Sequence, residues 1–242
     1  MRILVSTPCS NGMLYDSYVY SLLATRDRAT QEGLCERIDV HFQGKESLIH
    51  RARNRAANEL RLGGYDKLIT IDADISWTYE DFKRIITSDK DIIGGFYPLK
   101  AFPVVMNFNP LVELGQEFLS SHRGYDIDAF TKIREKYADP NGILEVRNMA
   151  TGFLAVHARV FAKLSETVDV YGTFQPESGE TKGFFDYYPS KVINKNLESE
   201  DWGFCRIAKE AGFKIYGDMN VALCHTGYWG FSLGQFHGSV QK

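Results

Sequence analysis

Two carboxylates one residue apart, Asp72 and Asp74, close the short apolar run Lys67-Leu-Ile-Thr-Ile71. Two like charges at the end of a buried strand repel each other and lose hydration, which is costly unless something cationic neutralises them. A hard divalent metal carrying a diphosphate meets that need, because carboxylate and phosphate oxygens both suit such an ion. His225, at the end of the run Asn220-Val-Ala-Leu-Cys224, offers an imidazole, which is a good manganese ligand. Asp72, Asp74 and His225 together make a two-carboxylate, one-histidine set. An ordinary Asx turn at Asp72 and a structural histidine are the plainer alternatives.

Three further groups carry chemistry. In Glu198-Ser-Glu-Asp-Trp-Gly-Phe204, Ser199 reads as an N-cap, which puts Glu200 and Asp201 in a first helical turn, where the helix dipole favours acids. The same position lets Asp201 project into a cleft as a general base towards a hydroxyl, with Trp202 stacked on a sugar face. Both readings stay open. In Leu48-Ile-His-Arg-Ala-Arg-Asn-Arg-Ala-Ala57, the residues Leu48, Ile49, Ala52, Ala56 and Leu60 share one helical face. Arg53 lies close to that face and needs an anion, either a diphosphate or a core carboxylate, whereas Arg51 and Arg55 point to solvent. Ala150-Thr-Gly-Phe153 would let a substrate approach the backbone, and Phe96-Tyr-Pro-Leu-Lys100 would aim a lysine at phosphate.

The elements that must position these groups alternate. Strands are expected over 2–7, 37–42, 67–72 and 90–95. Helices are expected over 14–30, from a Ser47 cap to Leu62, and from Thr78 with Asp81 completing a near capping box. That alternation argues for a parallel, nucleotide-binding α/β half. Beyond it, 110–142 reads as loops with one helix. A strand leads into 149–156, helices cover 158–165 and 199–211, and 220–224 is a final strand. The Gly-, Pro- and Lys-rich stretch 171–197 reads as a long mobile loop of the kind that closes over substrate.

Composition narrows the classes. The 242 residues suffice for one large domain. A net charge of −3 creates no basic field for nucleic acid or an anionic membrane. No apolar run approaches the roughly 20 residues of a membrane span, and the N-terminal strand does not resemble a signal peptide. Cys9, Cys35, Cys205 and Cys224 form no Cys-x-x-Cys pair and read as reduced thiols, so a cytoplasmic setting is expected. No Gly-x-Gly-x-x-Gly follows a strand, which argues against a Rossmann dehydrogenase.

Taken together, the motifs resemble the GT-A nucleotide-sugar glycosyltransferases, and in particular the small enzymes encoded by chlorella viruses and some phages. The resemblance rests on Ser6-Thr-Pro8, Ala52-Arg-Asn54, Ile71-Asp-Ala-Asp-Ile-Ser-Trp77, Ile92-Ile-Gly-Gly-Phe-Tyr-Pro-Leu-Lys100, Ala150-Thr-Gly-Phe153, Ser199-Glu-Asp201 and Cys224-His225. These occur in family order, and only about 110–142 and 171–197 lack a counterpart. The resemblance implies a single GT-A domain over 1–242, Rossmann-like and built on a mostly parallel sheet flanked by helices. Residues 1–100 would be its nucleotide-binding half and 101–242 its acceptor and catalytic half. It implies a hexosyl- or pentosyltransferase that uses Mn2+ or Mg2+ and a UDP-sugar, acting on a carbohydrate or glycoprotein acceptor. Glycan synthesis on a viral glycoprotein in the host cytoplasm would fit. It also implies that Asp72, Asp74 and His225 ligate the metal and that Thr7 and Pro8 lie against the base. Ala73, as the middle residue of the DxD motif, would touch the donor, and Arg53 would lie near the diphosphate. Asp201 would be the catalytic carboxylate, with Glu200 its neighbouring rival. A metal-dependent nucleotidyltransferase or phosphohydrolase also places Asp-x-Asp after a strand, and a non-catalytic carbohydrate-binding module would explain the aromatics alone.

Overall fold

The computed structural model describes residues 1–102, 104–106, 108–114, 125–175 and 179–232. The N-terminal half alternates as its periodicity requires: β1 (Arg2–Cys9), α1 (Asp16–Gln31), β2 (Arg37–Gly44), α2 (Ile49–Gly63), β3 (Lys67–Ile71), β4 (Ile75–Ser76), α3 (Tyr79–Thr87) and β5 (Ile92–Gly95). The rest comprises β6 (Asn109–Pro110), α4 (Ile127–Tyr137), β7 (Ile143–Asn148), β8 (Phe153–His157), α5 (Ala158–Leu164), β9 (Val170–Gln175), β10 (Glu180–Phe185), β11 (Lys191–Ile193), β12 (Asn196–Glu198), α6 (Glu200–Glu210), β13 (Ile215–Asp218), β14 (Cys224–Thr226) and β15 (Gly230–Ser232).

Eight strands form one sheet in the order β2-β1-β3-β8-β5-β13-β7-β6. The β1–β2, β1–β3 and β5–β13 ladders are parallel, and the other four are antiparallel. Six strands therefore point the same way, and only β8 and β7 run against them. The insertion of β8 between β3 and β5 departs from the purely parallel half that the strand–helix alternation led one to expect. It matters for the site, because the start of β8, rather than its end, lies beside the carboxyl ends of β3 and β5.

Alternate side chains on the central strands feed two separate cores, as a sheet covered on both faces demands. Ile3, Val5, Ile69, Ile93, Phe153 and Ala155 pack with residues of α1 and α3, and Leu4, Leu68, Ile92, Leu154 and Val156 pack with residues of α2, α5 and α6. Every residue of β3 is buried, which accounts for its unbroken apolar run. The Thr78–Asp81 capping box is present at the start of α3. Gly64 ends α2 at φ 67°, a left-handed position that glycine takes without a Cβ penalty.

Several expectations change. Leu48, not Ser47, precedes α2, and its N–H is taken by the Glu46 carboxylate at 3.2 Å. Arg51 and Arg55 are not simply solvated, since both pair with that buried Glu46, at 3.2 and 3.6 Å. Residues 220–224 are not a strand: β13 precedes them, and β14 begins at Cys224 in a separate three-stranded sheet, β15-β14-β4. The described part of 171–197 is largely two antiparallel hairpins, β9–β10 and β11–β12. Asn194 and Lys195 turn the second at φ 50° and 67°, the two positive values a tight two-residue turn needs. Between the hairpins, Tyr187 and Tyr188 are fully buried. The segment is tied down by Asn54, which bonds the Asp186 carboxylate and the Tyr188 N–H at 2.8 and 2.9 Å. Part of 110–142 and part of 171–197 lie outside the described residues. Among the described residues, no helix is long and apolar enough to cross a membrane.

Candidate active site

The chain turns sharply as it leaves β3. The Ile75 N–H returns to the Asp72 carbonyl at 3.1 Å, and the chain re-enters pairing as β4. β4 pairs antiparallel with β14 in a register that sets His225 opposite Ile75, and the Thr226 N–H bonds the Asp74 carbonyl at 2.7 Å. Strand register alone thus brings His225 beside Asp74. The His225 Nδ1–H donates to the Pro98 carbonyl at 2.9 Å, while Nε2 lies 3.7 Å from Asp74 Oδ1. Because a carbonyl can only accept, Nδ1 carries a proton, and in the neutral form of the ring the Nε2 lone pair faces Asp74. Two lone pairs facing each other invite a shared cation. The Lys100 ammonium bonds the other Asp74 oxygen. Burial pushes the Asp74 carboxyl up, but bonding and charge from Lys100, and from His225 once its ring is protonated, outweigh it and hold the group at about 2.

Asp72 has a different environment. Arg53, only 4 % exposed, donates Nη2 to Asp72 Oδ1 at 3.2 Å and Nη1 to Glu200. Burial works against the guanidinium charge, yet the two carboxylates outweigh it and raise its pKa. Arg53 Nε is buried and lacks a partner among the described residues. The Asp72 N–H bonds the Gly152 carbonyl at 3.0 Å, and the Gly152 N–H bonds the Tyr97 hydroxyl at 3.2 Å. A Cβ at Gly152 would run into both that hydroxyl and the Asp72 carboxylate, so this crossing requires glycine. Tyr97 also sets its ring edge-on to His225, with centroids 5.1 Å apart.

Two cavities flank these residues. One of about 650 Å³ is lined by Pro8, Cys9, Asn11, Asp72, Ala73 and Asp74, among others. Thr7 does not line it; its side chain is buried and bonds the Tyr18 hydroxyl. The other, about 240 Å³, is lined by Tyr97, Leu99, Asn109, Asn148, Asp201 and Trp202, among others. Asp201 therefore faces a cavity, with Oδ1 accepting from Ser199 Oγ and from the Trp202 N–H at 2.8 Å, whereas Glu200 turns to Arg53. A third cavity of about 470 Å³, between α5 and α6, shares no lining residue with either and mixes Lys163, Lys191 and Arg206 with Asp169, Asp186 and Glu210.

The predicted site residues thus separate into two linked groups. Asp74 and His225 meet under Lys100. Asp72 and Glu200 meet on Arg53. No three-member set of His, Cys, Asp or Glu able to hold a metal occurs among the described residues. The Asp74 carboxylate and the His225 nitrogen nevertheless have the donor chemistry that suits manganese or magnesium. Sequence reasoning missed Tyr97 and the Pro98 carbonyl. Both lie inside the Phe96–Lys100 motif, but nothing local distinguishes them from turn residues.

Six co-directional strands with two acids at the carboxyl end of β3 give the ligand-side geometry of open α/β sheets, and the architecture is that of the GT-A fold. Solved structures that superpose on it include two with the following likeness. The A197 protein from STIV superposes with a TM-score of 0.54 at 14% identity, over 94% of this chain and 86% of that one. GalNAc-T7, solved with UDP, GalNAc and Mn2+, superposes with a TM-score of 0.52 at 12% identity, over 92% of this chain and 43% of that one. No family model and no curated protein sequence matches the chain.

Proposed function

We propose that the chain is a metal-dependent glycosyltransferase that moves a sugar from a nucleoside-diphosphate sugar, UDP-linked, to a carbohydrate hydroxyl. The observation that carries this reading is the placement of Asp201 in a cavity of its own, across Tyr97 from the Asp74–His225 pair. The fold likeness to GalNAc-T7, a structure with UDP, GalNAc and Mn2+, supports the choice of donor and metal. The larger cavity takes the nucleotide, with Pro8 against the base and Ala73 beside the phosphates. Asp74 and His225 hold the metal, which when bound neutralises the charge that develops on the departing diphosphate.

The remaining steps belong to the chain's own side chains. Trp202 supplies a face for the acceptor ring, and Asn109 and Asn148 offer hydrogen bonds to its hydroxyls. Both donors to Asp201 occupy Oδ1, which leaves Oδ2 to take the acceptor hydroxyl proton. The acceptor oxygen then bonds the sugar's anomeric carbon as the carbon–phosphate-oxygen bond breaks, which inverts the anomer. Glu200, committed to Arg53, positions rather than reacts. Incubation with UDP-sugars, manganese and oligosaccharide acceptors, followed by NMR of the product linkage, tests this. Inverted transfer is expected; phosphate release or no turnover with any donor would overturn the reading.

A further inference from the structure

The two acids of Asp72-Ala73-Asp74 each carry a cation, but the cations are held differently. Arg53 is fixed in α2 and buried against two carboxylates. Lys100 lies on the loop after β5, its side chain 33% exposed, and reaches Asp74 on a flexible four-carbon stem. That stem passes over Gly227, where an added Cβ would lie 3.2 Å from Lys100 Cδ. The same loop gives the Pro98 carbonyl to His225. One loop therefore orients the ligating imidazole and also places an ammonium on the ligating carboxylate. A divalent ion taking both Asp74 oxygens must displace that ammonium, and a diphosphate in the adjoining cavity would offer it new oxygens within reach.

We propose that Lys100 is a diphosphate-binding residue parked on Asp74 when no donor is bound, and that it competes with the metal for that carboxylate until a nucleoside diphosphate draws it away. This rests on the glycosyltransferase reading for the identity of the anion, and on the Lys100–Asp74 contact alone for the competition. Metal and donor then bind with positive coupling, and by linkage each strengthens the other equally.

Calorimetry with MnCl2 and UDP on the wild type and on Lys100→Met separates the two parts, since methionine keeps the apolar stem over Gly227 and removes the charge. Manganese added to the nucleotide-free variant should bind several-fold more tightly than to the wild type. UDP added at saturating manganese should bind about tenfold more weakly, the scale of one charge-assisted hydrogen bond. Unchanged or weaker manganese binding by a variant with a wild-type melting midpoint would overturn the competition. Undiminished UDP binding would overturn the phosphate role. A wild type that binds manganese but not UDP would overturn the transferase reading and the phosphate role together, while the manganese comparison would still decide the parking.

Discussion

Asp72 and Asp74 are separated by one residue and belong to regions built on opposite principles. Around Asp72 the network is closed: Arg53 is buried, its partners Asp72 and Glu200 come from the end of β3 and the start of α6, and Gly152 admits no side chain at the crossing. Around Asp74 it is open, with a mobile-stemmed lysine, a histidine lone pair and a cavity edge. Two identical residue types thus serve different ends. The first ties the end of β3, through Arg53 of α2, to the start of α6. The second stays available for exchange, because a half-exposed ion pair is worth only about 0–1 kcal/mol and is easily traded for a better partner.

Substitutions that strike each region separately sharpen the contrast. The largest effect is expected at the open region: Asp74→Ala removes the carboxylate that would hold the metal, so manganese-dependent UDP binding should vanish in calorimetry, and transfer with it. Unchanged UDP-plus-manganese affinity would show that Asp74 is not a ligand. Next, Asp201→Asn should lower transfer by about 10²–10⁴, the range for loss of one general base. UDP affinity should be unchanged; retained transfer would put the base elsewhere.

At the closed region the loss is one of stability. Arg53→Ala leaves two inward carboxylates without a cation and should cost about 3–5 kcal/mol, measurable by urea denaturation. A cost below 1 kcal/mol would mean that the network is not the cross-link described here. The smallest effect concerns pH. Asp74 sits at about 2 in the folded protein, below its ordinary value. A depressed carboxylate contributes stability above its unfolded pKa and loses it as pH falls towards the folded value. The wild type should therefore lose stability as pH drops from about 4 to about 2, and Asp74→Asn should lose less over that window. Identical acid titrations would argue that Lys100 and His225 do not stabilise the carboxylate.

Much of this was legible from local pattern. The apolar run of β3 and the acids after it, the Thr78–Asp81 box, and the buried position of Arg53 all follow from short-range periodicity and chemistry, and each appears in the structure. The failures share a cause. Ser47 does not cap α2, because the chain enters the helix at Leu48, whose N–H goes to the Glu46 carboxylate that also collects Arg51 and Arg55. The β11–β12 hairpin escaped notice because Asn194-Lys195 turns without the glycine that usually marks such a turn.

The sequence by itself determined which residue types are present for metal, phosphate and proton chemistry, and that two acids must stand at the end of a buried strand. It also determined the repeated strand–helix order of the first hundred residues. Only the tertiary structure decided how those residues divide. The insertion of β8 between β3 and β5 brings Gly152 to Asp72, and the β4–β14 register brings His225 to Asp74. The roughly 100° between successive helical residues sends Glu200 to Arg53 and Asp201 to the cavity. Pairing between distant strands leaves no trace in a local hydrophobic period, so residues far apart in the chain acquire their partners only when the sheet is assembled.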